Sequence, residues 1–174
     1  MTTRVGAYPG SFDPPTIAHL AIAEAARDQA GLERVEFVLS RVALGKESGH
    51  HAGLDERLAV LEAVARTRPW LGVRVTDAQL LTDVAAGYDA LIVGADKWAQ
   101  IVDPAWYGGS ETARDAAVAR LPRTLIVARP PHPIDDDRCQ LLDVGAEHQA
   151  VSSTAVRAGR TEWMLPEAAA SGLW

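Results

Sequence analysis

The sequence predicts an α/β domain built on about five parallel strands, with helices on both faces of the sheet. Short apolar runs rich in β-branched residues alternate with amphipathic stretches along the chain, which is the order of a parallel sheet with crossover helices. The runs are continuously apolar, as in strands that are buried on both faces. A chain of 174 residues has the length of one domain, so we expect residues 1–174 to form a single unit.

The strand pattern occurs in five segments, each a short apolar run bounded by turn-forming or polar residues. The predicted strands are Val5–Tyr8, Val35–Leu39, Gly72–Thr76, Ala90–Val93 and Thr124–Ala128. Pro9-Gly10 ends the first of them. Because ligands bind at the carboxyl ends of parallel strands, the residues that directly follow these runs are the first candidates for a functional site.

Helical periodicity appears between the strands. In the first helix Ile17, Leu20, Ala21 and Ala25 recur at helical spacing, and Gly31 provides the stop. The predicted helices are Ile17–Ala30, Leu54–Thr67, Leu80–Ala86 and Ser110–Leu121.

Composition excludes several classes of protein. A net charge of −6 and a pI near 5.3 argue against broad binding to nucleic acids or to anionic membranes. One cysteine, Cys139, excludes an internal disulfide framework and a paired-cysteine metal site. No apolar run is long enough to span a bilayer, and the opening segment does not resemble a secretory signal. We therefore expect a cytoplasmic location.

The segment Gly10–His19 predicts a phosphate-binding loop between the first strand and the first helix. Its spacing fits neither GxGxxG nor GxxxxGK[ST]. Gly10 allows a close approach of backbone and ligand, and the helix that follows offers free amides and the positive end of its dipole. Thr16 and His19 would share a helix face and could both donate to one polyphosphate. The alternative is a threonine cap and a packed histidine.

A second candidate segment, Val151–Arg157, lies late in the chain. One of its hydroxyl residues, Ser152, Ser153 or Thr154, can cap a short helix whose amides and hydroxyls hold phosphate oxygens. Arg157 would add a fixed positive charge there. The alternative is a simple capped helix with a surface arginine.

Together these segments resemble the two motifs of the nucleotidyltransferase superfamily. Gly10–His19 is similar to its [H/T]xGH signature, and Val151–Arg157 is similar to its ISSTxxR motif. The superfamily includes nicotinate-mononucleotide and phosphopantetheine adenylyltransferases. The resemblance implies a Rossmann-like, doubly wound sheet and the transfer of a nucleotidyl group from a nucleoside triphosphate with release of pyrophosphate. It also implies Mg²⁺ as the cofactor that accompanies ATP, without naming a side chain as its ligand.

The resemblance also implies roles for individual residues. The catalytic candidates are His19, Thr16 and Lys46. The nucleotide-binding candidates are Gly10, Ser11, Phe12, Gly94, Asp96, Ser152, Ser153, Thr154 and Arg157. The acceptor-binding candidates are Trp106, Arg129 and Lys46. Trp106 could either stack on the acceptor or pack within the protein. Lys46 could instead be a solvated surface lysine. Ala18 replaces the usual glycine of the signature, which would put a methyl group near the nucleotide.

Two acceptor classes compete. The run Ala7–Thr16 and the segment Leu80–Ala86 resemble the phosphopantetheine enzymes, whereas Gly94-Ala-Asp96, Trp106 and Arg129-Pro130 resemble the nicotinate-mononucleotide enzymes. We expect nicotinate or nicotinamide mononucleotide as the acceptor. The alternatives are a phosphopantetheine-type or cytidylyl transferase, and a nucleotide-binding domain without turnover. We therefore expect two binding partners, ATP or another nucleoside triphosphate and a small phosphorylated acceptor. We expect no binding to nucleic acid or to a membrane. A homo-oligomer is possible.

Overall fold

A computed structural model describes residues 3–42 and 51–174. Within them the chain forms a sheet in which all neighbouring strands run parallel, in the order β3-β2-β1-β4-β5-β6. The strands are β1 Val5–Pro9, β2 Arg34–Ser40, β3 Leu71–Thr76, β4 Ala90–Gly94, β5 Arg123–Val127 and β6 Cys139–Leu141. The predicted doubly wound architecture is confirmed, but the described residues form six strands rather than about five. The sixth strand has three residues at a sheet edge and lacks an apolar run, so its sequence carries no strand pattern.

Helices connect the strands and cover both faces of the sheet. They are α1 Ile17–Ala30, α2 Leu54–Arg66, α3 Leu81–Val84, α4 Ala95–Val102, α5 Glu111–Ala119, α6 Ser153–Arg157 and α7 Pro166–Ser171. The first helix has the predicted bounds, and Gly31, with φ at 65° in the left-handed region, ends it. The sequence did not indicate α4, because it begins at the residue after β4 with no loop between them.

Alternating side chains of the central strands divide the core into two layers. On one face Phe37 and Leu39 of β2 and Ile92 of β4 pack with α1 and α2. On the other face Leu91 and Val93 of β4 pack with α4 and α5. This division explains the unbroken apolar runs, because a strand between two layers needs apolar side chains on both sides. Across the described residues no helix has the length and apolar character needed to cross a bilayer.

The strand order reverses between β1 and β4. From β1 the chain continues outward through β2 and β3, whereas β4 leads to β5 and β6 on the opposite side. The loops that follow β1 and β4 therefore diverge and leave a crevice at the carboxyl ends of these strands, which is where ligands bind in open α/β sheets.

Candidate active site

A cleft of about 360 Å³ occupies this crevice and brings the predicted segments together. Its walls come from the end of β1 and the loop after it, from the start of α4, and from α6. The lining residues are Tyr8, Pro9, Gly10, Ser11, Phe12, Asp13, His19, Ile22, Val93, Gly94, Asp96, Lys97, Arg129, Ser153, Thr154 and Arg157.

His19 is held at the cleft by the residue that precedes α1. The amide of Thr16 donates to His19 Nδ1 at 2.9 Å, and Thr16 Oγ1 lies 2.9 Å from the same nitrogen. Because Nδ1 accepts the amide proton, the proton of a neutral imidazole resides on Nε2, on the side of the ring away from Thr16. The ring also packs against Phe12 at a centroid distance of 4.9 Å. His19 is thus fixed in both orientation and tautomer.

Thr16 occupies a different position from the expected one. It is 0% exposed and does not belong to the cleft wall, so the structure does not bring its hydroxyl to the cleft surface alongside His19. Its amide and hydroxyl are both directed at the imidazole. The spacing of three residues brings Thr16 and His19 together as predicted, but the threonine acts on the histidine instead of on a ligand.

The aromatic ring of Phe12 determines the shape of the loop after β1. Phe12 has a φ of 48° and turns its ring back over Gly10, where an added Cβ would lie 2.9 Å from two ring carbons. Gly10 is therefore required by the approach of Phe12, a contact within the protein, whereas the sequence suggested an approach by a ligand. The Phe12 ring packs edge-on to Tyr8 and against Phe37, which anchors the loop in the core. The carbonyl of Ser11 is held by Arg57 Nη1 at 2.7 Å.

The late segment is hydrogen-bonded directly to this loop. Ser153 Oγ donates to the Pro14 carbonyl oxygen at 2.7 Å, and Arg157 Nη1 donates to the carbonyl oxygen of Asp13. Ser152 caps α6 by accepting a hydrogen bond from the Ala155 amide at 3.1 Å. Two segments that lie far apart in the sequence therefore form one wall of the cleft, with Thr154 and Arg157 on its surface.

The opposite wall is the start of α4. A Cβ at Gly94 would lie 2.5 Å from Asp96 Oδ1 and 3.1 Å from Arg129 Cγ, so glycine allows both side chains to close over this turn. Lys97 also lines the cleft, with Nζ 3.1 Å from Gln100 Oε1. The sequence analysis missed Lys97; its place directly after the fourth strand, beside Gly94 and Asp96, was the available signal.

Arg129 separates the cleft from a second cavity of about 270 Å³. Its Nη1 donates to the carbonyl oxygens of Gln149 at 3.1 Å and Val151 at 3.4 Å. The cavities share Ile22 and Arg129. The remaining walls of the second cavity are mostly apolar, with a few polar side chains among them: Val127, Ala128, Leu141, Leu142, Asp143, Val144, Gly145, His148 and Gln149.

Three other residues singled out in the sequence do not lie at the cleft surface or lie outside the described part of the chain. Trp106 lies outside both cavities, in a shallow depression beside Leu80 and Tyr107, so the structure does not bring it to the cleft. Ala18 is 1% exposed and its methyl group does not reach the cleft surface. Lys46 lies outside the described residues.

The electrostatics of the cleft favour an anion. Its lining has three cationic side chains, Lys97, Arg129 and Arg157, against two carboxylates, Asp13 and Asp96, so the cleft has a local excess of positive charge in a chain of net charge −6. Burial raises the pKa of Tyr8 well above its usual value, which keeps this phenol neutral. Local positive charge on an acidic protein is the pattern that a polyphosphate site requires.

Comparisons with known proteins agree with this arrangement. The cytidylyltransferase-like family matches residues 7–159. A Salinibacter ruber protein named "Probable nicotinate-nucleotide adenylyltransferase" is 29% identical over 94% of this chain and 91% of its own length. A Listeria innocua protein of the same name is 26% identical over 96% and 92%. A Dinoroseobacter shibae phosphopantetheine adenylyltransferase is 40% identical, over 34% of this chain and 32% of its own length.

Solved structures extend the likeness to the fold. The Plasmodium falciparum nicotinic acid mononucleotide adenylyltransferase in complex with APC superposes with a TM-score of 0.70 at 14% identity, covering 98% of this chain and 94% of that one. Its complex with NaAD gives a TM-score of 0.66 at 12% identity, with the same coverage. The family matches most of the sequence, and the strand order and the joined motif segments are consistent with that match. The chain therefore belongs to the cytidylyltransferase-like family and is an α/β nucleotidyltransferase.

Proposed function

We propose that this protein transfers the adenylyl group of ATP to nicotinate mononucleotide and releases pyrophosphate. The observation that carries the proposal is the cleft wall in which the two motif segments are joined through Ser153, Arg157 and the loop backbone, with His19 fixed beside it. The relatives that align over nearly the whole chain carry the name of this activity, which supports the choice of acceptor.

The two adjoining cavities suit the two parts of ATP. The mostly apolar cavity accepts the flat nucleobase, and its few polar groups are available to the edge of the base. The cleft accepts the triphosphate, with cationic side chains on several sides. Arg129 lies between them, at the place where the ribose and α-phosphate join the two parts.

The reaction is an in-line displacement. An oxygen of the acceptor phosphate forms a bond to the α-phosphorus of ATP while the bond from that phosphorus to the α,β-bridging oxygen breaks. The bonding electrons leave with pyrophosphate. No covalent bond to the protein is needed, so catalysis consists of positioning and charge stabilisation. His19 donates from Nε2 to a phosphate oxygen as negative charge develops, and Arg157 and Lys97 neutralise the departing pyrophosphate.

The described cleft fits Mg²⁺ as a partner of the nucleotide. Among the described residues no group of three or more metal-ligating side chains occurs, whereas the carboxylate of Asp96 lines the cleft. Mg²⁺ is commonly held by one or two carboxylates together with substrate phosphates, and Asp96 is the side chain that would serve here. When bound, the ion supplies neutralising charge to the phosphate oxygens.

A second candidate acceptor is phosphopantetheine. It is favoured by the 40% identity of a short stretch of the chain to the Dinoroseobacter shibae enzyme. That likeness covers about a third of the chain, whereas the likeness to the nicotinate-nucleotide enzymes covers nearly all of it. The pyridine nucleotide is therefore the first choice.

Pyrophosphate release with Mg²⁺ tests the assignment. ATP and CTP are each combined with nicotinate mononucleotide, nicotinamide mononucleotide or phosphopantetheine. We expect ATP with nicotinate mononucleotide to give the highest kcat/KM, by about ten-fold or more over the other pairs. Preference for phosphopantetheine or for CTP would replace the proposed substrate. ATP binding without turnover on any acceptor would indicate a nucleotide-binding domain.

A further inference from the structure

The carboxylate of Asp13 is a junction between the loop after β1 and two other parts of the chain. Asp13 is 2% exposed. Its Oδ1 accepts hydrogen bonds from Trp174 Nε1 at 2.7 Å and from the Ala52 amide at 3.1 Å. Its Oδ2 accepts from the His51 amide at 2.7 Å. A carboxylate can be buried in this way only when such donors replace water.

These donors keep Asp13 charged. Burial alone would raise the pKa of the carboxyl group, but the hydrogen bonds from Trp174, His51 and Ala52 and the charge of Arg157 hold it below its usual value. The bond from the indole is therefore charge-assisted, which makes it shorter and stronger than a neutral one.

The chain before Trp174 is guided along the same loop. The Leu165 amide donates to the Pro15 carbonyl oxygen at 3.1 Å, so the segment that leads into α7 is already attached there. After α7 the chain turns at Gly172, whose φ is 67°, and brings Trp174 back to the loop. The backbone bond before α7 and the turn at Gly172 after it therefore bring the indole to Asp13.

Asp13 is in turn connected to the residues that face the nucleotide. Its backbone carbonyl accepts from Arg157, which lines the cleft. The carbonyl of the next residue, Pro14, accepts from Ser153. A change in the position of Asp13 therefore moves the cationic wall of the cleft. His19 is attached elsewhere, through Thr16.

We propose that Trp174 is a positioning residue for the nucleotide: its indole N–H fixes Asp13, and Asp13 fixes Arg157 at the cleft and the amides of residues 51–52 behind the loop. The inference rests on the proposed nucleotidyl transfer in this cleft. Because His19 is held independently of Trp174, the contribution is to nucleotide binding and not to the chemical step.

The test is Trp174→Phe, which keeps an aromatic ring and removes the donor. We expect the KM for ATP to rise about five-fold, equivalent to about 1 kcal/mol and to one hydrogen bond, while kcat stays within about two-fold. Trp163→Phe is the matched control, because Trp163 lies nearby in the sequence but packs against Arg160; its KM should not change. If kcat falls while KM is unchanged, the variant contains a smaller fraction of folded enzyme, and the proposal is overturned. An unchanged KM and kcat would overturn it as well.

Two further measurements separate this inference from the proposed function. In an Asp13→Ala background Trp174→Phe should add almost nothing, because the partner is already missing. In Trp174→Phe, hydrogen exchange at the His51 and Ala52 amides should accelerate about five-fold while the amides of α1 keep their protection; unchanged exchange refutes the role of Trp174. If the wild-type protein turns over no acceptor, the proposed function fails, and the dissociation constant of ATP then takes the place of KM.

Discussion

Replacing His19 with alanine is expected to lower kcat by about 10²- to 10³-fold, the usual cost of losing one preorganised donor to developing charge. The imidazole is held by Thr16 with its Nε2 side away from that residue, so the loss falls on the transition state more than on ATP binding. Steady-state pyrophosphate release at saturating ATP measures the effect. The melting temperature should fall by only a few degrees: the buried Thr16 amide and hydroxyl lose Nδ1 as their partner, but the aromatic packing of Phe12 with Tyr8 and Phe37 remains.

Thr16→Val is the companion variant. It keeps the shape of the buried side chain and its backbone amide but removes the hydroxyl beside Nδ1. We expect an intermediate loss of about ten-fold in kcat, the equivalent of one hydrogen bond. Thr124→Val, a change at another buried threonine in β5, controls for the substitution itself. If His19→Ala kept most of its activity and lost melting temperature, the histidine would be a packing residue.

Arg57→Met is expected to destabilise the fold by about 3 kcal/mol, which corresponds to a fall of roughly 6–12 °C in melting temperature. Arg57 is 3% exposed and donates to the carbonyl oxygens of Ser11 at 2.7 Å and Ala52 at 3.1 Å. Its removal leaves one buried and one partly buried acceptor without their charged donor and takes a positive charge from the neighbourhood of Asp13. Thermal denaturation followed by circular dichroism measures the loss.

Arg66→Met provides the control for this prediction, because Arg66 lies on the same helix at an exposed position and should change stability by about 0.5 kcal/mol or less. Arg57→Lys should recover only part of the loss, since an ammonium group does not reproduce the forked donors of a guanidinium. Equal melting temperatures for Arg57→Met and Arg66→Met would show that Arg57 does not hold the loop.

The elements predicted best were those with a complete local pattern. The first helix carries apolar spacing from Ile17 and a glycine stop at Gly31, and its bounds agree with the structure. β6 and α4 lack such signals: β6 is a three-residue edge strand, and α4 follows β4 directly. Local periodicity cannot reveal an element that is formed mainly by its neighbours.

The sequence indicated which segments form the site but not which side chains contact one another there. Parallel topology brings the residues after β1 and β4 to one edge of the sheet, so Gly10, His19, Gly94 and Asp96 meet there as predicted. The orientation of Thr16 toward His19 depends on a buried rotamer, and sequence spacing does not determine it.

Contacts between residues far apart in the chain could not be predicted from the sequence for a different reason. The bond from Trp174 to Asp13 joins residues 161 positions apart, and no local pattern marks either of them as a partner of the other. Trp106 illustrates the converse. The family resemblance implied a place for it at the acceptor, but the helical course of α4 and the turn after it carry this side chain to a separate depression.

The most direct test of nucleotidyl transfer is to follow the label from ATP marked separately at its α- and γ-phosphates, with Mg²⁺ and nicotinate mononucleotide. Attack at the α-phosphorus predicts that the α-label enters the dinucleotide product and that the γ-label is recovered entirely in pyrophosphate. Transfer of the γ-label to the acceptor, with ADP as the second product, would show that this cleft catalyses phosphoryl transfer and would contradict the account.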